Sequence, residues 1–261
     1  MRPDVLYQRD GDDLRIAAVT LFNPDKLNAV TGAMWRRLAA VFADIAVAEG
    51  LHCVVVAGEG AAFAAGGDLA EFEHERATVE RALAYHEAVG AALHAIDSCP
   101  VPTVAAIRGP CVGGGLEIAA ACDLRIAGEN AVFGAPINRL GFSMYPGELA
   151  GLLRLAGPAV AKEILLEGRL LPAREAQLKG LVSRVVADAE VHAEAAATAR
   201  RIAAGAPLAA RANKRWIARL LDGRPLADDE KRAAFDFLDS EDYREGLAAF
   251  LEKRTPVFKG R

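Results

Sequence analysis

Gly109–Glu148 constrains this chain more than any other stretch: GPCVGGGLEIAAACDLRIAGENAVFGAPINRLGFSMYPGE. Gly113, Gly114 and Gly115 precede Leu116 and Glu117, and small apolar residues follow as far as Cys122. The pattern predicts a tight turn opening onto a buried helix with one carboxylate in its first turn. Glycine lets a backbone approach a neighbour closely and take angles other residues avoid. The first N–H groups of a helix lack partners within it, and the helix dipole makes that end attractive to negative charge. The turn therefore offers donors for an oxyanion, with Glu117 beside them as an acid or base. A structural reading stands next to this one: the glycines allow close packing, and Glu117 pairs with Arg108 or Arg125. Phosphate motifs are absent, since the stretch has no GxGxxG and the chain no Walker-type GK.

A second glycine turn lies at Ala61–Phe72, AAFAAGGDLAEF. Asp68 followed by Glu71 has the spacing of a capping box, with Asp68 as the N-cap. A helix starting there leaves Gly66 and Gly67 in the turn. Two such turns, each after a buried strand, can converge on one oxygen atom, and two convergent backbone donors make an oxyanion hole.

The strands predicted around these turns are short and apolar. LRIAAVTL (14–21) pairs with Val5–Arg9 as a hairpin across Asp10-Gly11-Asp12, and further strands fall at Cys53–Ala57, Thr103–Ile107, Leu124–Ala127 and Leu181–Val186. Thr31 caps a helix to about Glu49, ended by Gly50, with Met34, Leu38, Val41, Phe42 and Ile45 at helical spacing. Helices between buried strands give an α/β class. After Arg154 alanine, leucine and charges dominate, and three or four helices are expected from Ala187 onward. Their basic residues, Arg211, Lys214, Arg215 and Arg219, read mainly as a solvated face, with a subset available to phosphate. The tail TPVFKGR reads as loose, or as docked on a ligand or subunit.

Composition sets limits. With 261 residues, 52% hydrophobic and 25% charged, the chain suits a soluble globular protein with a large core. A net charge of −4 leaves no electrostatic footprint for nucleic acid or anionic membrane. No apolar run approaches membrane-spanning length and the first residues lack a signal-peptide core, so a cytoplasmic location is expected. Cys53, Cys99, Cys111 and Cys122 form no CxxC pair, and His74-Glu75 and His86-Glu87 lack the second histidine of HExxH. Neither a disulfide framework nor a metal site is expected.

Taken together, NPDKLNAV (23–30), FAAGGDL (63–69), GPCVGGGLEIAAACDLRIA (109–127), FGAP (133–136), PAVAKEILLEGRLLPAREAQLKGLVSRVV (158–186), PLAARANK (207–214) and FKGR (258–261) resemble the crotonase family of enoyl-CoA hydratases and isomerases. The resemblance implies a spiral of ββα units over residues 1–200, then a helical region over 201–261 that assembles trimers, often paired as hexamers. Trp216, Phe235, Phe237, Leu238 and Phe250 are expected at that interface. It implies an acyl-CoA thioester substrate, with coenzyme A as part of the substrate and no separate cofactor. By motif position Gly67 and Gly114 donate to the thioester enolate, and Glu117 is the catalytic acid/base. Substrate contacts are implied at Lys26, Leu27, Ala65, Gly67, Asp68, Leu69, Gly114, Ile137 and Lys259.

One position departs from the pattern. Hydratases of this family carry a second glutamate after the proline of FG-x-P, and here that residue is Ile137, expected as an apolar wall. Hydration uses two carboxylates, so double-bond isomerisation or another acyl-CoA lyase reaction competes with it. A further alternative is an acyl-CoA or RNA binder without catalysis. Glu148, Tyr145 and Arg139 are candidate replacements for the missing acid. Glu148, after Pro146-Gly147, reads more simply as an exposed residue supporting a helix dipole.

Overall fold

The computed structural model describes residues 2–261. β1 (Asp4–Arg9) and β2 (Ile16–Phe22) form the expected antiparallel hairpin, with Asp4 opposite Phe22 and Arg9 opposite Ala17. β3 (Cys53–Gly58) then adds in parallel to β2, and β4 (Thr103–Ile107) to β3. The chain next forms β5 (Pro110–Val112), β6 (Leu124–Gly128), β7 (Val132–Gly134), β8 (Leu171–Pro172) and β9 (Arg184–Val186). The larger sheet runs β1-β2-β3-β4-β6-β9, and β5-β7-β8 form a small second sheet. Every residue of β4 is buried. That is the mark of a parallel strand covered on both faces, and it explains why TVAAI carries no polar alternation.

The two faces feed two cores. Ala17, Val19, Leu21, Val54, Val56, Ala105 and Ile107 face α1 (Gly32–Ala46) and, after α2 (Leu69–Glu75), α3 (Val79–Asp97). Their neighbours Ile16, Cys53, Val104, Ala106 and Ile126 meet Val191, Ala195, Ala199 and Ala203 on the opposite face. This is the period-two alternation of a strand, with both sides apolar. Thr31 caps α1 as expected, its Oγ accepting from the Met34 N–H at 3.2 Å. The helix stops at Ala46, short of the expected Glu49, because Ala48 N–H turns back onto the Ile45 carbonyl.

α4 (Gly114–Ala121) follows the triple glycine, and α5 (Pro146–Lys162) follows the long loop. α5 is broken at Gly157 (φ 73°), immediately before Pro158, whose ring and missing N–H stop a regular helix. α6 (Ala173–Leu178) leads into β9, which is shorter than the expected 181–186 strand. Leu181 and Val182 are buried there outside the ladder. The remaining helices are α7 (Val191–Ala203), α8 (Pro207–Leu221), α9 (Asp228–Ala233) and α10 (Glu241–Glu252). Only α7 contributes to the second core.

Three of the four basic residues of α8 are engaged within the chain, where phosphate was the expected alternative for a subset. Arg211 donates to the Leu51 carbonyl at 3.1 Å, Lys214 pairs with Asp123 at 2.8 Å and Arg219 with Glu230 at 2.5 Å. Nor is the C-terminal tail loose. The N–H groups of Lys259 and Gly260 donate to the Asp242 carboxylate at 2.7 and 2.9 Å, and that of Val257 to Glu245 at 2.8 Å. Phe235, Leu238, Phe250 and Leu251 are exposed in this region. Among the described residues no helix is long and apolar enough to cross a membrane.

Candidate active site

Two glycine turns touch at the centre of the molecule. The first, at residues 64–68, is stitched to β5: Ala64 N–H donates to the Pro110 carbonyl and Val112 N–H to the Ala64 carbonyl, both at 3.0 Å. Cys111 sits between these bonds, bridged to Ala64. Gly66 takes φ +117° and Gly113 takes φ +50°, conformations that disfavour a side chain. A Cβ on Gly113 would lie 3.5 Å from the Gly66 Cα. On Gly114 it would meet the Trp35 ring at 2.8 Å, and on Gly115 the Ala64 carbonyl oxygen at 2.4 Å. The triple glycine is thus explained position by position, once by backbone angle and twice by close approach. Gly114 opens α4, so its N–H has no intrahelical acceptor. Among the described residues neither this N–H nor that of Gly67 donates to a backbone carbonyl.

These turns form one wall of a cavity of about 220 Å³. Ala65, Gly67, Leu69, Gly114, Glu117 and Ile137 all line it. Lys26, Leu27, Asp68 and Lys259 do not. The Lys26 ammonium pairs with Asp68 at 2.7 Å, and the Leu27 carbonyl accepts the Ala65 N–H at 3.0 Å, which places all three beside the turn without lining the cavity. Lys259 is held at α10, away from the cavity. Asp68 caps α2 by accepting from Ala70 N–H at 3.2 Å. The capping box does not close, because the Glu71 carboxylate reaches across to accept the Gly32 N–H at 2.7 Å, serving the start of α1.

Glu117 does not pair with either arginine. Arg125 donates to the carbonyls of Ala119 and Cys122, at the far end of α4, and Arg108 to that of Gly60. Burial pushes the Glu117 carboxyl up to about 8, the Glu148 carboxylate adds to the rise, and Arg76 opposes it. A carboxyl in that range holds its proton at neutral pH and can still give it up.

The opposite wall corrects the reading of Glu148 as exposed. Glu148 is 7% exposed and faces the same cavity as Glu117. The reason is the path of the loop: Pro146 starts α5 with Glu148 in its first turn, and α5 lies against α3 and α4. His86 of α3 contacts the Glu148 carboxylate through Nδ1 at 2.5 Å. The Tyr145 ring stacks on His86, with centroids 4.7 Å apart. Arg139 and Tyr145 do not line the cavity, and Ile137 does so as the apolar wall that was expected. Trp35, Tyr85, Phe72, Phe142 and Arg76 also line it. Sequence reading missed these, since each looks like an ordinary helix or loop residue. Behind the pair, Glu117 and Glu148 border a second cavity of about 210 Å³, rimmed by Asp97 and Arg154, which pair at 3.0 Å.

Residues 12–261 match the family model described as enoyl-CoA hydratase/isomerase. The chain belongs to the enoyl-CoA hydratase/isomerase family. It is 37% identical to the enoyl-CoA hydratase/isomerase-type protein YngF of Bacillus subtilis, over 94% of this chain and 95% of that one. Among solved structures it is similar to an enoyl-CoA hydratase/carnitine racemase from Magnetospirillum magneticum. The TM-score is 0.95 at 50% identity, covering 98% of this chain and 96% of that one. An enoyl-CoA hydratase from Bacillus anthracis superposes with a TM-score of 0.86 at 31% identity, over 95% and 96% of the two chains. The fold is the crotonase fold, and the chain is an enzyme of the hydratase/isomerase type acting on acyl-CoA.

Proposed function

We propose that this enzyme hydrates short 2-enoyl-CoA thioesters, and that Glu148 supplies the second carboxylate absent at position 137. The observation that carries the reading is the pair Glu117 and Glu148 on one cavity, beside the uncommitted N–H groups of Gly67 and Gly114. Those two donors hold the thioester oxygen as it gains charge, which is worth most in a site that excludes water. Glu148, aligned by His86, takes a proton from water as the oxygen bonds to the β-carbon. The electron pair of the double bond moves onto the thioester, and Glu117 gives its proton to the α-carbon. The product is the 3-hydroxyacyl thioester, with water added across the double bond and no change of oxidation state overall. Coenzyme A enters only as part of the substrate. The second cavity reaches both carboxylates and offers the route by which they reset their protons. Isomerisation, which needs one proton carrier, is the lesser reading because two carboxylates face the cavity.

Turnover of a short trans-2-enoyl-CoA by the wild type, Glu117→Gln and Glu148→Gln tests this. Each variant is expected to lose about 10²–10⁴-fold in kcat while still binding the thioester. Full hydration by Glu148→Gln with a dead Glu117→Gln would remove Glu148 from the chemistry and overturn the two-carboxylate reading. Assembly through Phe235, Leu238, Phe250 and Leu251 belongs to the same reading. Light scattering that finds a stable monomer at micromolar concentration contradicts it.

A further inference from the structure

The hydration scheme leaves one charged group of the cavity without a role. Arg76 is the C-cap residue of α2, and its side chain lines the cavity that Glu117 and Glu148 share. Two aromatic rings, nearly perpendicular to each other, lie against it. The guanidinium carbon lies 3.8 Å from the Phe72 ring centroid and 4.5 Å from that of Phe142. Cation–π contact holds the guanidinium in place without using its N–H groups, which stay available as donors. Among the described residues Arg76 forms no ion pair, and its Nε is buried without an acceptor.

Other arginines of this chain are used differently. Arg169, Arg219 and Arg254 each hold a carboxylate within 2.9 Å, and the buried Arg125 donates to backbone carbonyls. A half-buried cation whose N–H groups meet no protein acceptor is suited to an anion arriving in the cavity. The titratable groups acting on it are Glu117 of α4, Glu148 of α5 and Tyr85 of α3, none within pairing distance. Glu148 is already engaged by His86. Leu69, Leu140 and Met144 give the cavity apolar lining, with Ser143 and Tyr85 beside them.

We propose that Arg76 reads a carboxylate at the far end of the acyl chain, so that the substrates are CoA thioesters of short unsaturated dicarboxylic acids. This rests on the cavity being the acyl-CoA site. A guanidinium edge matches a carboxylate with two parallel hydrogen bonds, a geometry that an apolar chain end does not use. It also supplies the positive charge needed to admit a third carboxyl group to a cavity already holding two.

The test compares affinities of saturated CoA thioesters by calorimetry, using the monothioesters of five- and six-carbon dicarboxylic acids against monocarboxylic acids of the same length. Wild type is expected to prefer the dicarboxylic ligands. Arg76→Met, which keeps the apolar bulk, is expected to lower that preference about 10–100-fold, and Arg76→Lys to keep part of it. The readout is a ratio within one sample, so partial misfolding of a variant does not mimic it. Equal wild-type affinity for both ligand types overturns the proposal. So does an equal loss on both in Arg76→Met, which would make the arginine an electrostatic partner of Glu117 and Glu148. Because saturated ligands need no catalysis, a dicarboxylic preference without turnover of any enoyl-CoA would retire the hydratase reading and keep this one. Hydration of monocarboxylic substrates with no such preference would do the reverse.

Discussion

The two walls of the cavity are made in different ways. One is backbone: the turns around Gly67 and Gly114 touch each other, are stitched through Ala64 to β5, and present N–H groups. The other is side chain: Glu148, Ile137, Leu140 and Phe142 come from a loop and a helix start, and Leu140 is 54% exposed. The backbone wall has no room for change, because its donors are placed by the packing of the core itself. On the proposed reading the side-chain wall tolerates replacement, since Glu148 stands eleven positions beyond Ile137, where the family pattern puts the second acid.

The sharpest way to break the comparison is Gly115→Val. Its Cβ would meet the Ala64 carbonyl oxygen at 2.4 Å, so the two turns must separate. Overpacking of this kind costs about 1–3 kcal/mol or more, and loss of the aligned donors should remove most turnover even where the chain folds. Near-wild-type melting and turnover in this variant would show that the turns are not locked together.

A smaller effect sharpens the link between the walls. The Glu148 charge contributes to the raised pKa of Glu117, after burial. In Glu148→Gln that contribution is gone, so the alkaline limb of kcat/KM, where Glu117 loses its proton, should move to lower pH. Residual activity suffices for the measurement. An unmoved limb would separate the two groups electrically.

The smallest effect is on stability. The Glu117 carboxyl ionises near its ordinary value of 4.5 in the unfolded chain and near 8 in the folded one. Between those values the unfolded chain gives up a proton that the folded chain retains, so stability falls as pH rises through that window. Glu117→Gln removes this cost. Its melting temperature should match the wild type below about pH 4.5 and exceed it above pH 8, with the gap opening between those values. An advantage independent of pH would mean the gain comes from packing.

Much of this was legible in the sequence because it is local. β4 was read to the residue from TVAAI, and Thr31 and Asp68 were read as caps, since a buried strand and a helix start carry their own short signals. Glu117 and the glycine turns were legible for the same reason. The capping partner of Asp68 was not, because Glu71 found a better donor in Gly32, 39 positions earlier in the chain. Glu148 was misread because its first-turn position says nothing about which way α5 faces; that is decided by its packing on α3 and α4. Arg76 gave no signal at all. Its place depends on Phe72 and Phe142 closing over it, and the second of these is 66 positions away.

The stitch between the glycine turns also makes the protein its own reporter. All four thiols are buried, and burial raises the pKa of each, so none is a ready nucleophile in the native fold. Cys111 is the one set between the two turns, bridged to Ala64. An alkylating reagent can reach it only when that joint opens. Its labelling rate, resolved from those of Cys53, Cys99 and Cys122 by peptide mass, therefore times the breathing of the anion cradle without any engineered probe.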